Sequence, residues 1–224
     1  MRRHVPTARL MLACLLACGG AAFPGHAGEL KITLVDQDGA PIEHAAVLLD
    51  MDGLDAPPSP VPAVMDQRDR QFLPYVLAIR PGAEVSFPNS DNIRHHVYSF
   101  SEARPLELKL YSGTPTEPLD FPREGIVTLG CNIHDWMLGF IVVSSADRQA
   151  ISDAAGQVMF RDLPDGEARV RTWHPRFGST ELAGMAISVQ GDVEQVLTLE
   201  LGPELRREPP ALEEQRETRR RRGR

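Results

Sequence analysis

The chain has 224 residues with 24 Lys or Arg against 31 Asp or Glu, and setting aside residues 1–27 (three Arg) and 203–224 (eight Arg, five Glu) leaves a body of 13 basic and 26 acidic residues, a charge of −13. So acidic a body excludes a nucleic-acid-binding role, whose footprint has to be basic, and suits a cationic partner drawn in by electrostatic steering. Only 8 Phe, 3 Tyr and 2 Trp accompany 18 Gly and 19 Pro, and short apolar runs recur between turn formers, which marks an all-β chain.

Residues 1–27 read as a secretory signal. Arg2, Arg3 and Arg9 make a basic start, Leu10 to Leu16 begin an apolar run too short to span a bilayer, and Gly25-His26-Ala27 offers small residues for cleavage. Leu15-Leu16-Ala17-Cys18 is a loose lipoprotein box that would tether the protein through Cys18. Leu16 fits that box poorly, so the expectation is a soluble, periplasmic protein with no transmembrane span. Cys14 and Cys18 leave with the signal. Cys131 is then the single cysteine, unable to form an internal disulfide in an oxidising compartment.

Strands are expected at Leu30–Val35, Ala46–Leu49, Tyr75–Ile79, Ala83–Phe87, His96–Phe100, Leu106–Tyr111, Gly125–Leu129, Leu138–Val143, Val158–Arg161, Ala168–Thr172, Met185–Val189 and Val193–Leu199. No long segment of helical period interrupts them. Gly39 supplies the positive φ of a tight turn between the first two. Pro57, Pro58, Pro60 and Pro62 make the stretch from Leu54 to Pro62 a stiff linker or a surface loop. The segment from Pro203 on is rich in Glu and Arg, lacks an apolar stripe and reads as a disordered, solvated tail. A weak contact of its basic end, Arg219–Arg222, with an anionic surface is the functional alternative.

The chemistry concentrates in Gly130-Cys131-Asn132-Ile133-His134-Asp135-Trp136-Met137. A thiolate, an imidazole and a thioether stand there at C-x-x-H-x-x-M spacing, directly after the β-branched run Ile126-Val127-Thr128. Upstream, His95-His96-Val97 offers a second imidazole. Successive side chains on a strand point to opposite faces, so only one of the two adjacent histidines can meet a given metal. One Cys, two His and a Met are the donors of a blue-copper centre, in which a trigonal His₂Cys set with a weak axial Met accommodates both oxidation states. Haem attachment would need C-x-x-C-H, which is absent. A structural zinc site would need four strong N or S donors. No H-x-H pair of a multicopper oxidase occurs, nor a nucleophile–base pattern, so an enzyme is not expected. His174, in Trp173-His174-Pro175, and His44 read as structural.

Residues 62–145 resemble a cupredoxin, and the short ligand loop is most similar to that of amicyanin. Phe87-x-Asn89, His95-His96-Val97, Phe121-x3-Gly125-x5-Cys131 and the closing run Leu138–Val143 carry the likeness. It implies a Greek-key β-sandwich with His95, Cys131, His134 and Met137 as ligands of one type 1 copper ion. His134 and Met137 would lie on the loop after the Cys131 strand, with Ile133, Trp136 and Leu138 framing an apolar docking patch. The resemblance also implies that His134 leaves reduced copper and takes up a proton. Its partners would be a c-type cytochrome or an amine-oxidising dehydrogenase, as in methylamine utilization. The implied role is one-electron transfer, with copper trafficking or storage as the alternative.

Residues 153–175 resemble a carboxypeptidase regulatory-like (transthyretin-like) sandwich through Asp153-x-x-Gly156, Phe160-x-x-Leu163-Pro-x-Gly166 and Trp173-His174-Pro175. Residues 30–49 match its opening strands, through Val35-Asp36-x-x-Gly39-x-Pro41-Ile42-x-x-Ala45-x-Val47. The expected organisation is therefore signal (1–27), opening strands and linker (28–61), cupredoxin domain (62–145), the remainder of the second sandwich (146–202) and tail (203–224). An alternative gives residues 29–50 to the cupredoxin as an added hairpin.

Overall fold

A computed structural model describes residues 28–55, 59–115, 117–180 and 182–205. The signal with Cys14 and Cys18, and the tail beyond residue 205, lie outside the described residues. Among the described residues seventeen strands follow in chain order: β1 (Gly28–Asp36), β2 (Ala46–Met51), β3 (Ala63–Val64), β4 (Asp66–Arg68), β5 (Gln71–Leu73), β6 (Val76–Ile79), β7 (Ala83–Ser86), β8 (His95–Ser99) and β9 (Leu106–Tyr111). Then come β10 (Leu119–Phe121), β11 (Gly125–Cys131), β12 (His134–Val143), β13 (Arg148–Ile151), β14 (Gln157–Leu163), β15 (Gly166–Trp173), β16 (Ala183–Val189) and β17 (Val193–Leu199). A single 3-10 turn, Pro175–Phe177, is the only helix among the described residues, and none there is long and apolar enough to cross a membrane. The chain is all-β.

Two layers of sheet close over the first core. Sheet β14-β1-β17 faces sheet β13-β2-β15-β16. The two-residue period of a strand drives this: in β1, Leu30, Ile32 and Leu34 are fully buried while the residues between them are half-buried. They meet Val47, Leu49, Val158, Phe160, Val170 and Leu197 in one cluster. The two opening strands thus pair with the C-terminal strands in different sheets, β1 with β14 and β17, and β2 with β13 and β15. Gly39 at the β1–β2 turn has φ 81°, and the Asp36 carboxylate accepts from the amides of Asp38 and Ala40 at 2.9 Å each.

The second core lies under the five-stranded sheet β6-β12-β11-β8-β9, with the small sheet β10-β7-β3 and the hairpin β4–β5 opposite. Phe72, Val85, Phe87, Val97, Phe121, Leu129 and Ile141 fill it, together with Cys131 and Met137. A third cluster joins the two halves. Ala46 and Leu48 of β2 and Trp173 of β15 pack against Tyr75, Val76, Ile126, Phe140 and Val142. The five-stranded sheet is therefore apolar on both faces over this part, which explains the near-continuous hydrophobic run Phe140–Val143 in β12.

Candidate metal centre

Two irregularities in the ladders bring the donor atoms together. On β8, pairing with β9 slips between His95 (opposite Tyr111) and Val97 (opposite Leu108). On β12, the partner of Gly130 is Leu138 but the partner of Cys131 is His134, so Asp135–Met137 are looped out of register. Such bulges re-aim side chains that regular alternation would send elsewhere. Cys131 and His134 then flank a two-residue turn, Asn132-Ile133, and His134 opens β12 rather than lying on a free loop as expected.

The result is a compact cluster. His95, Cys131 and His134 each present one donor atom, all within 4.8 Å of one another. Cys131 Sγ lies 3.8 Å from His95 Nδ1 and 3.7 Å from His134 Nδ1. A metal about 2.0 Å from nitrogen and about 2.3 Å from sulfur in a trigonal plane would set N and S roughly 3.7 Å apart. The spacing present therefore fits a shared ion, and one thiolate with two imidazoles is a donor set for copper. Met137 is 1% exposed and packs in the same cluster as Cys131. His96 points away from the centre, its Nε2 3.1 Å from Glu107 Oε1.

Burial differs across the set. His95 is fully buried and Cys131 is 4% exposed, whereas His134 is half-buried. Burial, seconded by the nearby His95 and Arg70, holds the His134 imidazole below its usual pKa, with Asp91 pulling weakly the other way. Its ring packs 5.0 Å from that of His95 and 5.1 Å from that of Trp136. Ile133 beside it is 48% exposed. Leu138, expected at the same patch, packs instead toward the third cluster. A Cβ at Gly130 would come 2.7 Å from the end of the Tyr98 ring lying over it, so a larger residue there would have to move that ring.

The residues around the cluster hold it in place through further hydrogen bonds. Asn89 is buried and its amide donates to the carbonyls of Ile93 and Tyr111 at 2.9 Å each, which shapes the loop into His95. Tyr111 donates its hydroxyl to the Phe87 carbonyl at 2.7 Å and accepts from the buried Gln67 amide. Burial pushes the Tyr111 phenol up to about 12, so it stays a neutral donor. Asp91 reaches His95 Nε2 at 2.7 Å. Burial alone would raise the Asp91 carboxyl, but the amides of Arg70 and Asp69 and the His95 ring outweigh it and hold it below its ordinary value. His174 caps the 3-10 turn, its Nδ1 accepting from the Arg176 amide at 3.2 Å, with the Glu43 carbonyl 3.2 Å from its Nε2.

No family model matches this chain, and no curated protein matches it. Solved structures do overlap part of it. A pseudoazurin from Sinorhizobium is 20% identical over 38% of this chain and 74% of its own, with a TM-score of 0.30. A purple cupredoxin from Nitrosopumilus maritimus is 20% identical over 36% of this chain and 96% of its own, at a TM-score of 0.32. A point mutant of amicyanin, in its reduced Cu(I) form at pH 4, is 20% identical over 42% of this chain and 87% of its own, at 0.34.

Proposed function

We propose that residues 62–145 are a cupredoxin domain holding one type 1 copper ion on His95, Cys131, His134 and Met137, and that the exported protein carries single electrons between periplasmic redox partners. The observation that carries this reading is the placement of two imidazole Nδ1 atoms at 3.7 and 3.8 Å from one thiol sulfur. When bound, copper supplies a one-electron change of oxidation state. Cys131 would contribute the thiolate and His95 and His134 the two imidazoles, with Met137, buried in the same cluster as Cys131, as the candidate for the weak fourth donor. Because Cys131 and His95 are buried, water is kept from the sulfur, and the half-buried His134 is the ligand that reaches toward a partner.

The partner on this reading is a basic c-type cytochrome or an amine-oxidising dehydrogenase. The acidic body supports a cationic surface on the partner, and the exposed Ile133 beside His134 gives it a small apolar contact. Weak, fast encounters of this kind need little buried area. We assign residues 28–61 and 146–202 to a carboxypeptidase regulatory-like sandwich with the copper domain inserted in it. The pairing of β1 with β14 and β17 supports that assignment.

The test is to add Cu(II) to the mature protein and record the visible spectrum. An intense thiolate-to-copper band is expected in the wild type and none in Cys131→Ser. Tight, colourless Cu(I) binding with no such band in the wild type would overturn the carrier in favour of copper trafficking.

A further inference from the structure

A fully buried imidazole has to satisfy both ring nitrogens. At His95 the division is clear: Nδ1 faces the Cys131 sulfur, and Nε2 lies 2.7 Å from Asp91 Oδ2. The carboxylate is gripped from its far side. The Asp69 amide donates to Oδ1 at 2.7 Å and the Arg70 amide to Oδ2 at 3.0 Å. Both donors sit in the β4–β5 turn with φ of 54° and 58°, a region that non-glycine residues seldom occupy. Asn89 Oδ1 accepts the Asp91 amide at 3.0 Å, so the aspartate backbone is fixed as well. The Asp91 side chain is only 12% exposed. A strained turn, a buried amide side chain and a carboxylate thus converge on one ring nitrogen.

We propose that Asp91 is a positioning residue for the metal, holding His95 in the tautomer that keeps its proton on Nε2 and turns the Nδ1 lone pair toward the centre. This rests on the copper reading above. An outer carboxylate bonded to a ligand histidine fixes ring orientation and makes the ligating nitrogen a stronger donor. A stronger donor favours the higher oxidation state, so Asp91 lowers the reduction potential and tightens Cu(II) more than Cu(I). A carboxylate that merely braced the loop would move stability and leave tautomer and potential alone.

The experiment has two arms. In the metal-free protein, nitrogen NMR of the His95 ring at neutral pH is expected to find the proton on Nε2 in the wild type and a tautomer mixture in Asp91→Asn. In the copper-loaded protein, Asp91→Asn is expected to lose about 10–100-fold in Cu(II) affinity, with a smaller loss for Cu(I) and a higher midpoint potential. A neutral wild-type His95 carrying its proton on Nδ1 overturns the proposal with no variant needed. An unchanged potential in a folded, coloured Asp91→Asn overturns it too. A wild type that never develops the copper band sinks the copper reading instead, and the metal-free spectrum still decides the role of Asp91 toward His95.

Discussion

Burial works against a proton on His134, and that has a consequence for the redox chemistry. If this ring takes up a proton once copper is reduced, protonation stabilises only the reduced form, and the potential rises as pH falls. The slope for one proton and one electron is about 59 mV per pH unit below the pKa. Because burial lowers that pKa from its ordinary 6.5, the rise should begin on the acid side of the usual imidazole range. Voltammetry from pH 7.5 to pH 4 checks this, and a flat line throughout removes the proton-linked release. The same shift acts on the metal-free fold. A group with a depressed folded-state pKa adds stability above its unfolded value that is lost as pH falls through the folded one, so acidification below about 6.5 should weaken the apoprotein through His134. The grouping of His95, Cys131 and His134 was legible in the C-x-x-H-x-x-M spacing and the upstream His95-His96-Val97. Asp91 was not, since what makes it matter is the approach of the Asp69 and Arg70 amides from a hairpin 21 and 22 residues away in sequence.

At the scale of elements, the hairpin β4–β5 is the strap behind the site. Phe72 of β5 is 1% exposed and lies directly over Gly139 of β12, where a Cβ would come 2.6 Å from the Phe72 Cβ. Gly139→Ala should therefore push β5 outward and cost about 1–3 kcal/mol, the usual penalty of overpacking, measured as a lower urea midpoint. A variant as stable as the wild type would mean that β5 does not press on β12. Every strand expected from a short apolar run is present, because each run holds enough apolar residues between turn formers to stand out. The strands that were missed, β3, β4, β5, β10 and β13, are two to four residues long. Asp66-Gln67-Arg68 of β4 has no apolar residue at all, and its ladder to β5 and the bridge from Gln67 to Asn89 make it a strand. His134 was expected on a loop for a related reason. The jump from Leu138 to His134 opposite Gly130 and Cys131 is a tertiary irregularity with no signature in composition.

On the scale of the whole molecule, the third cluster decides whether the two sandwiches behave as one. Phe140 of β12 is 5% exposed and meets Trp173 of β15 at a ring-centroid distance of 5.4 Å, with Tyr75 against its other edge at 5.4 Å. Trp173 itself is 2% exposed and donates its indole N–H to the Ser179 carbonyl at 2.9 Å. Aromatic pairs in this geometry add to area burial, and truncating a buried Phe to Ala costs about 3–5 kcal/mol. That cost falls on the junction, because Phe140 belongs to neither of the two separate cores and is six residues beyond His134 along β12. The wild type should unfold in one calorimetric transition. Phe140→Ala should lower the first transition and separate it from a second, while the copper band expected on the proposed function keeps its position, since Phe140 packs in a different cluster from Cys131 and Met137. A single transition at the wild-type temperature would show that the junction contributes nothing to the cooperativity of the fold, and a shifted copper band would show that the junction supports the ligand end of β12 as well.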